Sequence, residues 1–303
     1  MTNAGISMRI VATSDVHIPK YLNKMASLVR RLCTDVADVL LLLGDIAPAN
    51  DAAFDEFLCH LAFFKGPKLF VIGNHDLWTA DGSSKERYNK TVPELLAKHN
   101  FHPLDKEPVV FHGVGFVGNI GWYDYSFSRV YAPPPGTQYI RYANSKKLSM
   151  PQMIKWDDIN EDDWKKKEIY YKGFLGLIQG TGCNDKDYIK DFWEDREFCQ
   201  MRAEQLDEDL KKVSKKANKI VTAFHCLPFK EGLIRNNTKP NVCFTNAFAG
   251  SKLLGDVLYK HPKVGLCLWG HVHQRQNLSK GTIRCCNVSF DPNAPTNPVL
   301  LEI

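Results

Sequence analysis

The residues of this chain best suited to chemistry are carboxylates, an amide and imidazoles. They recur in short, separated groups: Asp15-Val16-His17, Gly44-Asp45, Gly73-Asn74-His75-Asp76, His225 and Gly270-His271-Val272-His273. Carboxylate oxygen, amide oxygen and imidazole nitrogen suit Mn, Fe, Zn or Mg rather than a soft thiolate-seeking ion. Asp15, His17, Asp45, Asn74, His225, His271 and His273 are too many for one tetrahedral zinc. They suffice for two divalent ions sharing a bridging carboxylate. Two such ions about 3.5–4 Å apart can clamp a phosphate while a hydroxide between them attacks in line. Taken singly, Gly-Asp or a histidine after a strand is commonplace. His-x-His says more, because alternate positions of an extended chain point the same way. The ordered set is what points to a site.

These groups need rigid elements to aim them. Each one follows an apolar run that reads as a buried strand: residues 9–13 (RIVAT), 39–43, 68–72, 219–223 and 264–269, with a further run at 282–288. Continuous rather than alternating apolar residues indicate sheets covered on both faces. Residues 20–36, 51–64 and 194–213 have helical periodicity, the last ending in a lysine-rich turn. Strands alternating with helices indicate an α/β layered fold. In such sheets ligands bind beyond the carboxyl ends of the strands, where these groups lie. Gly44, Gly73 and Gly270 permit the tight turns that aiming requires. Residues 123–191 break the rhythm with a triple proline at 133–135, many aromatics and mixed charge. They read as an insertion, part loop and part short helices, within a single domain spanning 1–303. A long ordered excursion of this kind is often a lid or binding loop, and the competing reading is a solvated excursion with no role in function.

The ordered motifs D-x-H, G-D, G-N-H-D, H and G-H-x-H resemble those of the calcineurin-like metallophosphoesterase superfamily. The resemblance extends from Asp15 to His273 and so frames most of the chain. It implies a four-layer α/β/β/α sandwich with a dimetal site at its strand ends. Asp15, His17 and His273 would hold one ion, Asn74, His225 and His271 the other, and Asp45 would bridge both. The ions would be Mn, Fe or Zn. His75 would act on the substrate, steadying phosphoryl oxygens or protonating the leaving alkoxide. The implied activity is hydrolysis of phosphomono- or phosphodiester bonds in a small molecule or nucleotide.

Departures from the family pattern narrow this. After Gly44-Asp45 the chain reads Ile46-Ala47-Pro48-Ala49-Asn50. It lacks the further Asp and the Arg of the protein serine/threonine phosphatases, which disfavours a protein substrate. Asp76 is then a candidate partner for His75 outside the ligand set. Position 226, after His225, is Cys where many relatives carry a second His. Asn119, Trp122 and Tyr123 are candidates for the pocket mouth, with core packing of Trp122 the competing reading.

A nuclease is the main alternative and needs a basic, aromatic groove. The net charge is only +5, from 39 basic and 34 acidic residues, far short of a concentrated nucleic-acid face. The lysines at 146–147, 165–167 and 211–216 are interleaved with acids such as Glu161 and Asp162. A non-catalytic scaffold is disfavoured because every expected ligand and His75 are present. Nine scattered cysteines with no CxxC point to buried thiols in a reducing compartment. No run reaches the roughly 20 apolar residues of a membrane span. The first residues lack a basic segment followed by an apolar one, so the expected location is the cytoplasm. Oligomeric state is left open.

Overall fold

The expected apolar runs form strands. A computed structural model describes residues 7–18, 20, 22–33, 36–133, 135–141, 152–172, 178–235, 240–291, 293 and 298–303. In chain order its strands are β1 (Arg9–Thr13), β2 (Val39–Leu42), β3 (Lys68–Phe70), β4 (Phe101–Pro103), β5 (Val109–Phe111), β6 (Val114–Asn119), β7 (Tyr139–Arg141), β8 (Gln152–Ile154), β9 (Glu168–Lys172), β10 (Ile178–Gly182), β11 (Lys219–Phe224), β12 (Val264–Trp269), β13 (Asn277–Lys280), β14 (Ile283–Asn287) and β15 (Val299–Glu302). Among the described residues, one sheet has the order β15-β1-β2-β3-β4 and a second β13-β14-β12-β11-β6-β5. In both, the inner strands that lead to the motifs run parallel.

Side-chain alternation explains the layers. Ile10 and Ala12 of β1, with Val39 and Leu41 of β2, meet Val221, Ala223, Leu266 and Leu268 of the second sheet in one apolar cluster. Their strand neighbours Val11, Leu40 and Leu42 face the other way. There they pack with Leu28 and Leu32 of helix Leu22–Leu32 and with Phe54, Phe57 and Leu58 of helix Asp51–His60. On the far side, Val117, Ile220 and Cys267 pack against Leu206, Leu210 and Val213 of helix Asp195–Ser214. Three apolar seams separate four layers, α/β/β/α. Each fully buried Leu or Val contributes about 1.5–3 kcal/mol, so strands apolar on both faces lock the strand ends in place.

Some boundaries differ from expectation for physical reasons. Helix 51–64 ends as an α-helix at His60 and tightens into a 3₁₀ turn, Leu61–Phe63. Its start is capped by the Asn50 side chain, which accepts from Ala53 N at 3.0 Å. Strand 68–72 stops at Phe70. Two residues on, Ile72 N donates to the Asp105 carboxylate at 2.8 Å, and Ile120 N beyond β6 donates to its other oxygen. One buried aspartate thus ties together the ends of both sheets. Ser14 and Ser289 form a further bridge between them. β15, an edge strand paired antiparallel to β1, was not among the expected elements.

Residues 123–191 differ most. In place of loop and short helices alone, β7 to β10 form a sheet of order β10-β9-β7-β8, accompanied by helices Glu161–Lys165 and Asp185–Tyr188. Three-residue strands such as β7 and β8 are too short to show alternation. Tyr139, Trp156 and Trp164 share an apolar cluster with the first sheet's helices, and Trp164 stacks on Phe244 at 4.9 Å. Pro134, Lys146 and Lys147 lie outside the described residues. Among the described residues no helix is long and apolar enough to cross a membrane.

Candidate metal centre

The loops after β1, β2, β3, β11 and β12 converge. Asp15, His17, Asp45, His271 and His273 all have left-handed backbone, with φ between 47° and 68°. Asp and His tolerate this region better than most residues, but each such residue still costs about 1–3 kcal/mol. Hydrogen bonds between loops hold the strain. Asp15 N donates to Gly44 O at 3.0 Å and His17 N to Asp45 O at 3.0 Å. Gly270 N donates to His225 O at 3.1 Å, and His271 N to the Asp15 carboxylate at 3.0 Å.

Gly44 uses its freedom at φ +78°. Gly73 and Gly270 serve instead through close approach. A Cβ on Gly73 would collide with the Asp45 carboxylate and Asp45 N, and one on Gly270 with Ser14 and Asp15. Gly73→Ala should therefore displace Asp45, cost about 1–3 kcal/mol of stability and weaken metal uptake. Thermal melts with and without Mn²⁺ check this. An unchanged melting temperature and an unchanged metal response would mean that the loops part freely.

Of three overlapping groups of possible ligand atoms around Asp45, two match the expected sets and the third joins His17, Asp45 and His75. In the first, Asp15, His17 and His273 lie together. His17 Nε2 and His273 Nε2 are 3.0 Å apart with their rings stacked. Asp15 Oδ1 is 3.5 Å from His273 Nε2, and Asp45 Oδ2 is 3.9 Å from His17 Nε2. In the second, Asp45, His225 and His271 meet, and Asn74 joins them. His225 Nδ1 lies 2.7 Å from Leu43 O, and His271 Nε2 lies 3.0 Å from Phe248 O. Each ring spends its N–H on a carbonyl, which fixes its tautomer. The remaining nitrogens, His225 Nε2 and His271 Nδ1, face each other at 3.2 Å. Asn74 Oδ1 at 2.9 Å and Asp45 Oδ2 at 3.3 Å from His225 Nε2 add two more acceptors. Acceptors gathered this closely call for a cation among them, and their chemistry fits a divalent ion.

The titration of the cluster agrees. Burial opposes charge on Asp45, yet His225 and His75 hold its carboxyl well below the usual range. Asp15 is lowered in the same way, against burial, by His273 and His225. Burial also opposes a charged His225, but Asp45, Asp15 and the Leu43 carbonyl push it up to about 10. Burial brings His17 down to about 4 and, with His225 beside it, His271 down to about 4. The two buried carboxylates thus hold a positive charge on His225, which a metal ion would replace as that proton leaves, while His17 and His271 are neutral, the form that binds metal.

The structure corrects the expectation for Asp76. Its side chain does not serve His75. Oδ2 accepts from Asp45 N at 3.0 Å and Gly73 N at 2.8 Å, and Oδ1 from Ile46 N at 3.0 Å. It braces the two loops that carry Asp45 and Asn74. Burial, then the Asp45 charge, pushes its pKa up to about 7. His75 lies with Nε2 3.8 Å from Asp45 Oδ2 and its ring stacked on Trp78 at 3.6 Å. Trp78 stacks in turn on Tyr188 at 4.6 Å.

Asn119, Trp122 and Tyr123 are buried rather than at a pocket mouth. Asn119 braces its own turn through Gly121 N at 2.8 Å. Trp122 Nε1 donates to Asp195 at 2.8 Å, and Tyr123 Oη donates to Asp185 at 3.0 Å. Asp185 is absent from the expected site residues. It lies at the start of helix Asp185–Tyr188 and accepts from the amide of Asn74 at 2.8 Å. The signal that leads to it is the need of a buried amide NH₂ for an acceptor.

A family model described as calcineurin-like phosphoesterase matches residues 8–275. Among solved structures, the phosphopantetheinyl hydrolase of Mycobacterium tuberculosis is similar with a TM-score of 0.68 at 18% identity, over 99% of this chain and 96% of that one. A Thermus thermophilus protein aligns with a TM-score of 0.49 at 13% identity, covering 93% of this chain and 89% of its own. A dimetal phosphatase from Danio rerio aligns with a TM-score of 0.49 at 15% identity, covering 93% and 87%. At 18% identity the likeness to the phosphopantetheinyl hydrolase is one of fold. No curated protein matches the sequence.

Proposed function

The chain belongs to the calcineurin-like phosphoesterase family, and from that premise we propose that it hydrolyses phosphomono- or phosphodiester bonds of a small molecule or nucleotide at a centre of two divalent ions. The observation that carries this reading is the position of Asp45, whose carboxylate borders both groups of ligand atoms. Asp15, His17 and His273 would hold one ion, Asn74, His225 and His271 the other, with Asp45 between. The nitrogen and oxygen donors favour Mn, Fe or Zn. When bound, such ions lower the pKa of water and neutralise charge on phosphate.

The chain's own residues do the rest. The carbonyls of Leu43 and Phe248 hold His225 and His271 with their other nitrogens inward, where each would ligate the ion. Asp76 keeps the Asp45 loop in register with Gly73. His75 offers Nε2 beside Asp45 on a ring held by Trp78, where it can donate a proton to a departing oxygen.

The nuclease reading has less support. Lys165 pairs with Glu161 at 3.1 Å, Lys167 with Asp195 at 3.0 Å and Lys211 with Asp207 at 2.5 Å. These lysines are engaged within the protein rather than arrayed for a strand. The absence of an arginine from Ile46 to Asn50 argues against a protein phosphatase. The free state of all nine cysteines supports a reducing compartment such as the cytoplasm. We treat residues 123–191 as an insertion within one domain. Likeness of fold to the phosphopantetheinyl hydrolase adds a phosphopantetheinyl ester to the candidate substrates.

The test is a substrate panel on metal-free protein reconstituted with Mn²⁺. It compares p-nitrophenyl phosphate, bis-p-nitrophenyl phosphate, cyclic nucleotides, a phosphopantetheinyl ester and single-stranded DNA, with bound metal counted alongside. Hydrolysis of a small ester that rises with metal content is expected. Preference for DNA would turn the assignment to a nuclease. Two bound ions with no hydrolysis of any ester would end the catalytic reading.

A further inference from the structure

An asparagine ligand has a weakness that aspartate lacks. Its amide presents an oxygen to a metal in one orientation and an NH₂ group in the other, and the two orientations have nearly the same shape. Asn74 is buried, so water cannot choose between them. In the structure Asn74 Oδ1 lies 2.9 Å from His225 Nε2, on the side of the ligand cluster, while Nδ2 points away and donates to Asp185 Oδ1 at 2.8 Å. An ionised carboxylate only accepts hydrogen bonds. Rotating the amide would set its oxygen against the carboxylate oxygen and turn its N–H bonds toward the ligand cluster.

The surroundings of Asp185 keep it an acceptor. Its side chain is fully buried, at 1% exposure. Trp78 Nε1 donates to Oδ1 at 2.8 Å, Tyr123 Oη donates to Oδ2 at 3.0 Å, and Cys183 Sγ is 3.5 Å from Oδ2. Each of these partners, like the amide of Asn74, brings a hydrogen. A protonated acid would meet donors on both oxygens. The same carboxylate also anchors the indole on which His75 stacks. Asp185 lies within residues 123–191, far in sequence from every motif of the ligand set.

We propose that Asp185 is the positioning residue for Asn74: it holds the amide oxygen toward the second metal position, so that residues 123–191 govern occupancy of that position. This rests on the dimetal reading above. Residues that orient a metal ligand from behind typically change affinity by about 10–100-fold when lost.

The test counts Mn²⁺ bound at equilibrium dialysis to the full chain, with circular dichroism to confirm folding. The variants are Asp185→Leu, Asp185→Ala, Asp185→Asn and, as reference, His225→Ala. Asp185→Leu keeps the volume and removes the acceptor. It should bind the first ion as the wild type does and the second about 10–100-fold more weakly. Asp185→Ala should show the same loss, and stands in where leucine prevents folding. Asp185→Asn can still accept from Asn74 and Trp78 through its oxygen, while its NH₂ faces the Tyr123 hydroxyl. It should restore the second affinity to within a few-fold of wild type. If Asp185→Asn loses as much as Asp185→Leu, the carboxylate acts by charge and the positioning role is wrong. If His225→Ala loses an ion while Asp185→Leu and Asp185→Ala keep both at wild-type affinity, the positioning role is again wrong and the dimetal reading stands. If His225→Ala itself keeps both ions at wild-type affinity, the dimetal reading fails first.

Discussion

Asp45→Asn should empty both metal positions together and lower turnover by roughly a thousandfold or more. The carboxylate is buried, and its two oxygens do different work. Oδ1 accepts the His75 backbone N–H at 2.9 Å, while Oδ2 faces His225 Nε2 at 3.3 Å and His17 Nε2 at 3.9 Å. An asparagine would keep its oxygen on the backbone N–H, because an NH₂ group there would meet another donor. Its NH₂ would then occupy the place of Oδ2. The atom that both ligand groups share would change from a negative acceptor to a donor, which no metal accepts. Each ion supplies several kcal/mol of charge stabilisation at the transition state, and about 1.4 kcal/mol is a factor of ten in rate. Metal per chain by atomic spectroscopy, read beside kcat, checks the result. Retention of one ion at wild-type affinity would show that Asp45 does not bridge. Retention of both would remove it from the ligand set.

What was legible in the sequence follows from how local each feature is. Asp15, His17, Asp45, Asn74, His225, His271 and His273 each follow an apolar run that is buried on both faces, so strand and candidate ligand are written side by side. The three apolar seams were legible for the same reason: Ile10 and Val11 are both apolar because each faces a different layer. The backbone at Asp15 or His273 was not, since a positive φ leaves no mark beyond a tolerant residue type. Asp76 shows how adjacency misleads. It stands next to His75 in sequence, but its carboxylate turns inward to three backbone N–H groups. Asp185 is the opposite case. Among the acids of residues 157–191 nothing local distinguishes it, and only the tertiary placement of the Asn74 amide singles it out. β7 and β8 escaped notice because three residues cannot display a period.

His75→Ala should leave two ions bound and cut kcat by about 10²–10⁴-fold, with a loss that depends on the leaving group. The other histidines are set apart by how their second nitrogen is held. His225 and His271 give theirs to backbone carbonyls, which turns the other nitrogen of each inward. Among the described residues His75 Nδ1 has no hydrogen-bond partner, so neither tautomer is imposed on the ring. Its position is set by the indole of Trp78 at 3.6 Å, and its side chain is 23% exposed where that of His225 is fully buried. A ring held in place with one nitrogen unengaged suits proton transfer better than permanent ligation. If His75 protonates the departing oxygen, the alanine variant should lose most on an alkyl phosphate, whose alkoxide leaves poorly. It should lose least on p-nitrophenyl phosphate, whose phenolate needs little help. Equal losses on both would mean that His75 stabilises phosphoryl oxygens instead. His75 also groups with His17 and Asp45 among atoms close enough to hold an ion, so the metal count decides a third outcome: a variant that binds fewer ions would make His75 a ligand.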